Sequence, residues 1–525
     1  MRRFTLGLCF LVLPIFSGNV KEQRPANDLR ISWDFENGSL GSWRINERSE
    51  VVLAHASNSG ELWYFFRING VLNKTVTFVF ENVRKDFYGG DNRPSLSYDQ
   101  IHWSLIPTRW TTPVPDNPER VRFLFTHTFA QNQAWIAYTP PFSNRSLDQL
   151  LMQIENHPHV KIRSLCETPL RRLRLPLIQI TDPQIPLTEK KTILLLSRED
   201  AYETASSWIS QGAVQFLLTE EPVAAAIKKR YSFLILPIFD PDGVALGCAL
   251  HPLPNEKENV FWTETWPESV YSFYEQRQMK RFLEQWKDEG NAIDLSLRLH
   301  SDAWTEDFFR GEYGFKADKS GPNDMIQDLW VNKYLPGYRI LEPAWQKSSF
   351  SKYVYDLFPQ SLTASARCDF LYSSPAGSGF LIYKTPDDLL VEGECLVCAI
   401  GESFGLSGGD PPPYLLGAGF YDPSSTEKNP FSVQCIYRDL QNRPPEYVQV
   451  VVNEKKYSLA KVATPNMDYR TGVIYVGFVP IEKPENEHYF ITSNGSRTFR
   501  IPREGTRPGP YGFPNNKRNR NTVSK

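Results

Sequence analysis

A chain of 525 residues is too long for one hydrophobic core and implies two to four domains. Hydrophobic residues make up 41% and charged residues 22%, a balance that excludes a disordered or fibrous protein. A formal net charge of −2 excludes nucleic acid as the main partner, because neutralising phosphates takes a clustered excess of Lys and Arg, and the one basic cluster, Lys517-Arg518-Asn519-Arg520, lies in the tail.

In chain order, Arg2 and Arg3 precede an apolar stretch from Phe4 to Phe16 closed by Ser17 and Gly18, the pattern of a signal peptide over residues 1–18. Export to the periplasm, cell surface or extracellular space is the resulting expectation. The stretch is too short to cross a bilayer and no later run qualifies, so no transmembrane span is expected. Cys166, Cys248, Cys368, Cys395, Cys398 and Cys435 are sparse and irregularly spaced, which argues against a disulfide framework; Cys395 and Cys398 fit an apolar helix as small buried hydrophobes.

Alternation in Leu62–Ile68 and Thr75–Phe80, punctuated by Gly70, predicts an N-terminal β-sandwich over residues 30–142, with the aromatic run Trp63–Phe66 in its core. Leu147, Leu150, Leu151 and Ile154 recur at helical spacing over Ser146–Glu155, behind a cap at Asn144 or Ser146. Strands at Leu177–Thr181, Ile193–Leu196, Tyr231–Pro237 and Ile293–His300 then alternate with helices at Glu203–Leu218 and Ser269–Asp288. A last helix runs from Asp387 to Ile400, opened by Thr385-Pro386 and stopped by Gly401. Apolar strands separated by amphipathic helices predict an α/β domain over residues 146–405, its mixed sheet covered on both faces and its sites beyond the strand ends. After the linker Gly408–Pro413, strands at Phe431–Tyr437 and Tyr447–Val452 predict an immunoglobulin-like β-sandwich over residues 415–503, and composition predicts a disordered tail over 506–525. The fold class is multidomain, α/β plus all-β.

Asp200-x-x-Glu203 follows one predicted strand and His300 ends another, which is the spacing of a one-metal hydrolase site with Asp in place of the first His. Ordinary roles suit each residue too: Asp200 as a cap for a helix starting near Tyr202, Glu203 as an acid favouring that helix terminus, His300 as an interior histidine.

Glu203-Thr204-Ala205-Ser206-Ser207-Trp208 and Asp240-Pro241-Asp242-Gly243-Val244, with Asp34–Gly41 and Trp63–Arg67 upstream, resemble the zinc carboxypeptidases of the carboxypeptidase A type, most closely the cytosolic-carboxypeptidase-like branch. The resemblance covers residues 30–405. Farther on, Tyr437–Asp439, Pro444–Val448 and Asp468–Val473 resemble a sandwich module common on secreted bacterial proteins.

The resemblance implies Asp200, Glu203 and His300 as zinc ligands, and it implies losses around them. The general base falls on Ser365, or on Thr363 if the register slips by two, and neither hydroxyl can serve near pH 7. The arginines for the oxyanion and the substrate carboxylate fall on Leu250 and on Val260, beside the substrate-binding Asn259; His251 and Lys257 are the basic residues nearby. Two carboxylates and one imidazole would cancel the charge of a zinc ion, so zinc is expected to be held weakly or not at all.

Three functions remain in view. One is an exported, catalytically impaired relative that binds peptide C-terminal ends or a protein partner in the former cleft. A second is an active zinc metallocarboxypeptidase with a base recruited from Glu306 or Asp307. The third is binding of glycans or surface proteins through the β modules. The sequence specifies no oligomeric state.

Overall fold

The computed structural model describes residues 29–511 apart from 91, 253–273, 303–306, 316–323, 336, 344–349, 374–380, 407–411, 421–430, 464–466 and 481–484. Two five-stranded sheets build the N-terminal unit. One orders Arg30–Ser32, Phe65–Asn69, Gln133–Ala137, Ser95–Ser97 and Ser104–Leu105. The other orders Ser42–Ile45, Val51–Ala54, Thr75–Arg84, Asn117–Thr128 and Arg109–Val114. Alternating aromatics close the space between them: Trp63, Phe66, Phe78 and Phe125 are fully buried, and the rings of Phe78 and Phe125 stack 4.8 Å apart.

The helix after this unit runs Asn144–Ile154, and its cap is Ser143, ahead of both expected caps, Asn144 and Ser146. The side chain of Ser143 accepts from the Ser146 backbone N–H and Ser146 reciprocates. Asn144 is instead the first helical residue, and its side chain donates to the carbonyl of Pro241 at 3.0 Å.

The central sheet has eight strands: β1 (Val160–Glu167), β2 (Arg174–Ile180), β3 (Lys191–Ser197), β4 (Tyr231–Leu236), β5 (Leu295–His300), β6 (Phe308–Gly311), β7 (Arg339–Leu341) and β8 (Leu362–Arg367), in the order β1-β2-β4-β3-β5-β8-β6-β7. Strands β4, β3, β5 and β8 are mutually parallel, so their carboxyl ends line up along one edge of the domain. Leu194, Leu196, Leu234 and Leu236 pack on one face against helices α2 (Tyr274–Asp288) and α3 (Phe350–Leu357), through Met279, Leu283, Trp286, Phe350 and Val354. The opposite face carries Ile193, Leu195, Ile235 and Leu297. Two further helices, α1 (Thr204–Leu217) and α4 (Pro386–Ser403), pack closely against each other. Burial on both faces explains the unbroken apolar runs.

Helix α4 does not stop at Gly401. It continues to Ser403, because Gly401 packs on the side chain of Ile227 while its carbonyl accepts from the Tyr231 hydroxyl at 3.2 Å. Cys395 and Cys398 lie on α4, buried and unbridged, as do Cys248, Cys368 and Cys435 elsewhere; Cys166 is half-buried. The first residues expected in α2, 269–273, lie outside the described residues, as does most of the linker.

Residues from Tyr414 onward form two antiparallel sheets. One orders Tyr414–Phe420, Phe431–Arg438, Val473–Val479 and Ala460–Lys461; the other orders Lys455–Ser458, Tyr447–Val452, Glu487–Ser493 and Thr498–Ile501. The stretch from Thr506 to Tyr511, assigned from composition to a disordered tail, is ordered. Arg507–Pro508 pairs with Glu487–Ser493, Arg507 donates to Asp387 Oδ2 at 2.7 Å and to the Ala418 carbonyl at 2.8 Å, and Tyr511 packs edge-on against Tyr98. Composition missed it because the anchoring groups come from other parts of the chain. Residues 512–525 lie outside the described residues. No described helix is long and apolar enough to cross a membrane.

Candidate functional site

The carboxyl ends of β3, β5 and β8 bring together Glu199, Asp200, Tyr202, Glu203, Arg298, His300, Asp302 and Arg367. In the parallel register His300 stands opposite Arg367, and Arg298 opposite Ser365. Alternation places Arg298 and His300 on one face of β5.

His300 is clasped between two carboxylates. Its Nδ1 lies 3.2 and 3.3 Å from the two oxygens of Glu203, and its Nε2 lies 3.5 Å from Glu199 Oε2. The same Glu199 oxygen accepts from Arg298 Nε at 2.8 Å, and Arg298 Nη1 is 4.0 Å from Glu312. Burial opposes a charged ring and Arg298 adds to that, yet Glu203 and Glu199 raise the His300 pKa to about 9. The ring is therefore an imidazolium near neutral pH.

Asp200 enters this group without a hydrogen bond to its side chain from any described residue. Burial, then the neighbouring Glu203, pushes its carboxyl well above the usual range. It is not a helix cap: α1 starts at Thr204, and Glu203 occupies the cap position without a side-chain capping bond.

The substituted positions are placed as follows. Ser365 is nearly buried beside Arg298, and Thr363 Oγ1 is engaged by the Tyr313 backbone N–H at 2.9 Å. Leu250 turns its side chain toward solvent, 45% exposed. Asp307, a candidate base, is ruled out by its surroundings: it is 1% exposed, with Oδ2 at 2.6 Å from Lys384 Nζ and Oδ1 accepting from the Asp369 N–H at 2.7 Å. Glu306, Lys257, Asn259 and Val260 lie outside the described residues.

Tyr202, Asp302 and Arg367 belong to the site and were missed. Arg367 could have been found from its place two residues after Ser365, which puts it opposite His300 once the two strands pair in parallel.

A second buried cluster lies nearby. Asp240, 1% exposed, holds the first turn of the Pro241–Ala245 helix by accepting from Gly243 N–H at 2.8 Å, and it faces His251 at 3.9 Å; His251 in turn lies 3.5 Å from Glu275. Burial raises the Asp240 carboxyl to about 6, with Glu275 and Asp242 adding to the effect and His251 and the Gly243 N–H opposing it. A carboxyl whose folded pKa lies above its unfolded value contributes stability that is present below about pH 3.8 and lost as pH rises through about 6. Asp240→Asn, which keeps the acceptor for Gly243, should therefore stabilise the chain at pH 8 by about 1–3 kcal/mol more than at pH 4.5. Thermal unfolding at the two pH values checks this; an equal shift at both would refute it.

Residues 31–139 match the model of the cytosolic carboxypeptidase N-terminal domain. Cytosolic carboxypeptidase 3 of Bos taurus is 26% identical over 57% of this chain, and cytosolic carboxypeptidase 6 of Caenorhabditis elegans is 26% identical over 51%. The chain is similar to the zinc carboxypeptidases of the cytosolic-carboxypeptidase-like branch. The alignments span 31% and 61% of those two relatives' own lengths. Among solved structures, a metallo-carboxypeptidase from Burkholderia cenocepacia superposes with a TM-score of 0.59 at 18% identity, covering 72% of this chain and 98% of that one. A metallo-carboxypeptidase from Pseudomonas aeruginosa superposes with a TM-score of 0.55 at 13% identity, covering 71% and 99%. These two establish the shared fold.

These likenesses correct the expectation of export. The curated relatives are named cytosolic carboxypeptidases, and the matched N-terminal unit is the one described for them, so the basic and apolar start of the chain is not evidence of secretion. Residues 1–28 lie outside the described residues.

The metal of this carboxypeptidase family is zinc, and the residues present do not fit it as they are placed. Both ring nitrogens of His300 face carboxylates, and among the described residues no group of three His, Cys, Asp or Glu is placed to hold a metal ion.

Proposed function

We propose that this chain is a cytosolic member of the branch that binds a peptide ligand at the carboxyl ends of β3, β5 and β8, around a site held by ion pairing. The observation that carries the reading is the position of His300 between Glu203 and Glu199. An imidazolium between two carboxylates keeps the pocket shaped and charged, and it leaves no nitrogen free to ligate a metal. The fold supports a peptide as the ligand, since the cleft sits where open α/β sheets bind theirs. The two C-terminal sheets belong with this reading as an immunoglobulin-like sandwich appended to the binding domain.

The full chain tests this. After purification in zinc-containing buffer and exhaustive dialysis, metal analysis should find far less than one zinc per chain, and N-acetylated dipeptides should bind with the same affinity with or without a chelator. One zinc per chain that disappears in Glu203→Gln, together with chelator-sensitive release of C-terminal residues, would replace the proposal with a working hydrolase.

A further inference from the structure

Asp302 is held in a way that its own position does not require. It lies two residues beyond His300, past the end of β5, with its side chain 43% exposed. Its Oδ1 accepts from the Tyr202 hydroxyl at 3.1 Å and its Oδ2 from Arg367 Nη1. Two donors from separate elements thus meet the two oxygens of one carboxylate, the arrangement used to recognise carboxylates specifically.

The donors are fixed where the acceptor is not. Tyr202 is 7% exposed, and its backbone N–H is tied to the Ala249 carbonyl at 3.0 Å. Arg367 ends β8, opposite His300, and its guanidinium lies over the Phe308 ring at 4.5 Å. Its Nε is buried without a hydrogen bond to any described residue, 3.8 Å from Asp369. An exposed carboxylate can turn into water at little cost, since such ion pairs are worth about 0–1 kcal/mol. The ring and the stacked guanidinium would stay.

We infer that Tyr202 and Arg367 form a carboxylate-binding subsite that is filled by the chain's own Asp302 until a carboxylate of the ligand displaces it. The inference rests on the peptide-binding reading and names the chemical group that the peptide presents. Glu199 and Glu203 would repel an additional anion, but exchange adds none, because Asp302 leaves as the ligand enters. The subsite also supplies donors of the kind missing at Leu250. A terminal carboxylate and an acidic side chain offer the same group, and the probes separate them.

Calorimetric titration of the full chain with N-acetyl-Ala-Ala, its C-terminal amide, and N-acetyl-Glu-Ala-amide provides the test. The free acid should bind at least about tenfold more tightly than the plain amide. Binding by N-acetyl-Glu-Ala-amide at the strength of the acid would assign the subsite to acidic side chains as well as chain ends; binding at the strength of the plain amide would assign it to chain ends. Asp302→Asn should tighten acid binding by about fivefold, since it weakens the internal competitor. Arg367→Gln and Tyr202→Phe should each weaken it by about tenfold while leaving the plain amide unchanged. Should Arg367→Gln fail to fold, Tyr202→Phe carries the test, because it removes one hydroxyl and keeps the ring. Equal binding of acid and amide, or no gain in Asp302→Asn, overturns the subsite and leaves peptide binding standing. No binding of any probe to either wild type or Asp302→Asn overturns both readings.

Discussion

Replacing Lys384 with Met should destabilise the chain by about 3–5 kcal/mol, the range for breaking a buried ion pair from one side. The ε-ammonium is 1% exposed and lies 2.6 Å from Asp307 Oδ2 and 2.8 Å from Glu392 Oε1. Glu392 also accepts from the Tyr338 hydroxyl at 3.0 Å, and Asp369, whose N–H binds Asp307, accepts from Ser301 Oγ at 3.0 Å. This network ties α4 to the residue following His300. Met matches the lysine stem in length and removes only the charge, leaving two buried carboxylates without their cation. Burial, opposed by Lys384, already raises the Asp307 carboxyl well above its ordinary value, with Glu392 and Asp369 adding to the shift. Without the ammonium that carboxyl must take up a proton to remain buried, which is easier in acid. The loss should therefore be larger at pH 8 than at pH 5. Urea unfolding at both values measures it, and a loss below about 1 kcal/mol, or one independent of pH, would show that the network is not what holds this corner.

What could be seen from the sequence follows from range. Strands β3 and β4 were visible because sheet burial on both faces writes an apolar run, and the aromatic core of the N-terminal unit because alternation marks a two-layer sandwich. The meeting of Glu203 and His300 was legible from spacing after strands. Their relation was not. Glu199 fills the second side of the imidazole, and adjacency to Asp200 gives no hint of that orientation. Arg367 comes beside His300 only through the β5–β8 register, which spacing does not supply. Asp307 looked available as a base because Lys384 and Glu392, far along the chain, were not yet beside it. The signal-like N-terminus shows the converse error: a short basic and apolar segment satisfies a compositional pattern that the chain's relatives do not support.

Gly393→Ala should cost about 2–3 kcal/mol although alanine is the better helix former, and Gly393→Val should cost more. A Cβ at Gly393 would lie 2.2 Å from the Ile209 carbonyl oxygen and 2.6 Å from the Ala213 nitrogen; one at Gly212 would lie 2.1 Å from the carbonyl oxygen of Leu390. These neighbours are backbone atoms, so no rotamer change relieves the overlap and helices α1 and α4 must separate. Helix propensity works the other way by about 1 kcal/mol, which makes the sign of the result informative. Gly90→Ala is the matched control, since no atom lies within 4 Å of the added carbon, and its effect should stay within about 0.5 kcal/mol. Separation would also reach the site, because Glu203 adjoins the first residue of α1 and Glu392 precedes Gly393 in α4. Gly393→Ala should accordingly weaken peptide binding as well as lower the thermal midpoint. A midpoint equal to or above that of the parent chain would mean that the two helices do not approach this closely and that the glycine pair is not what sets their distance.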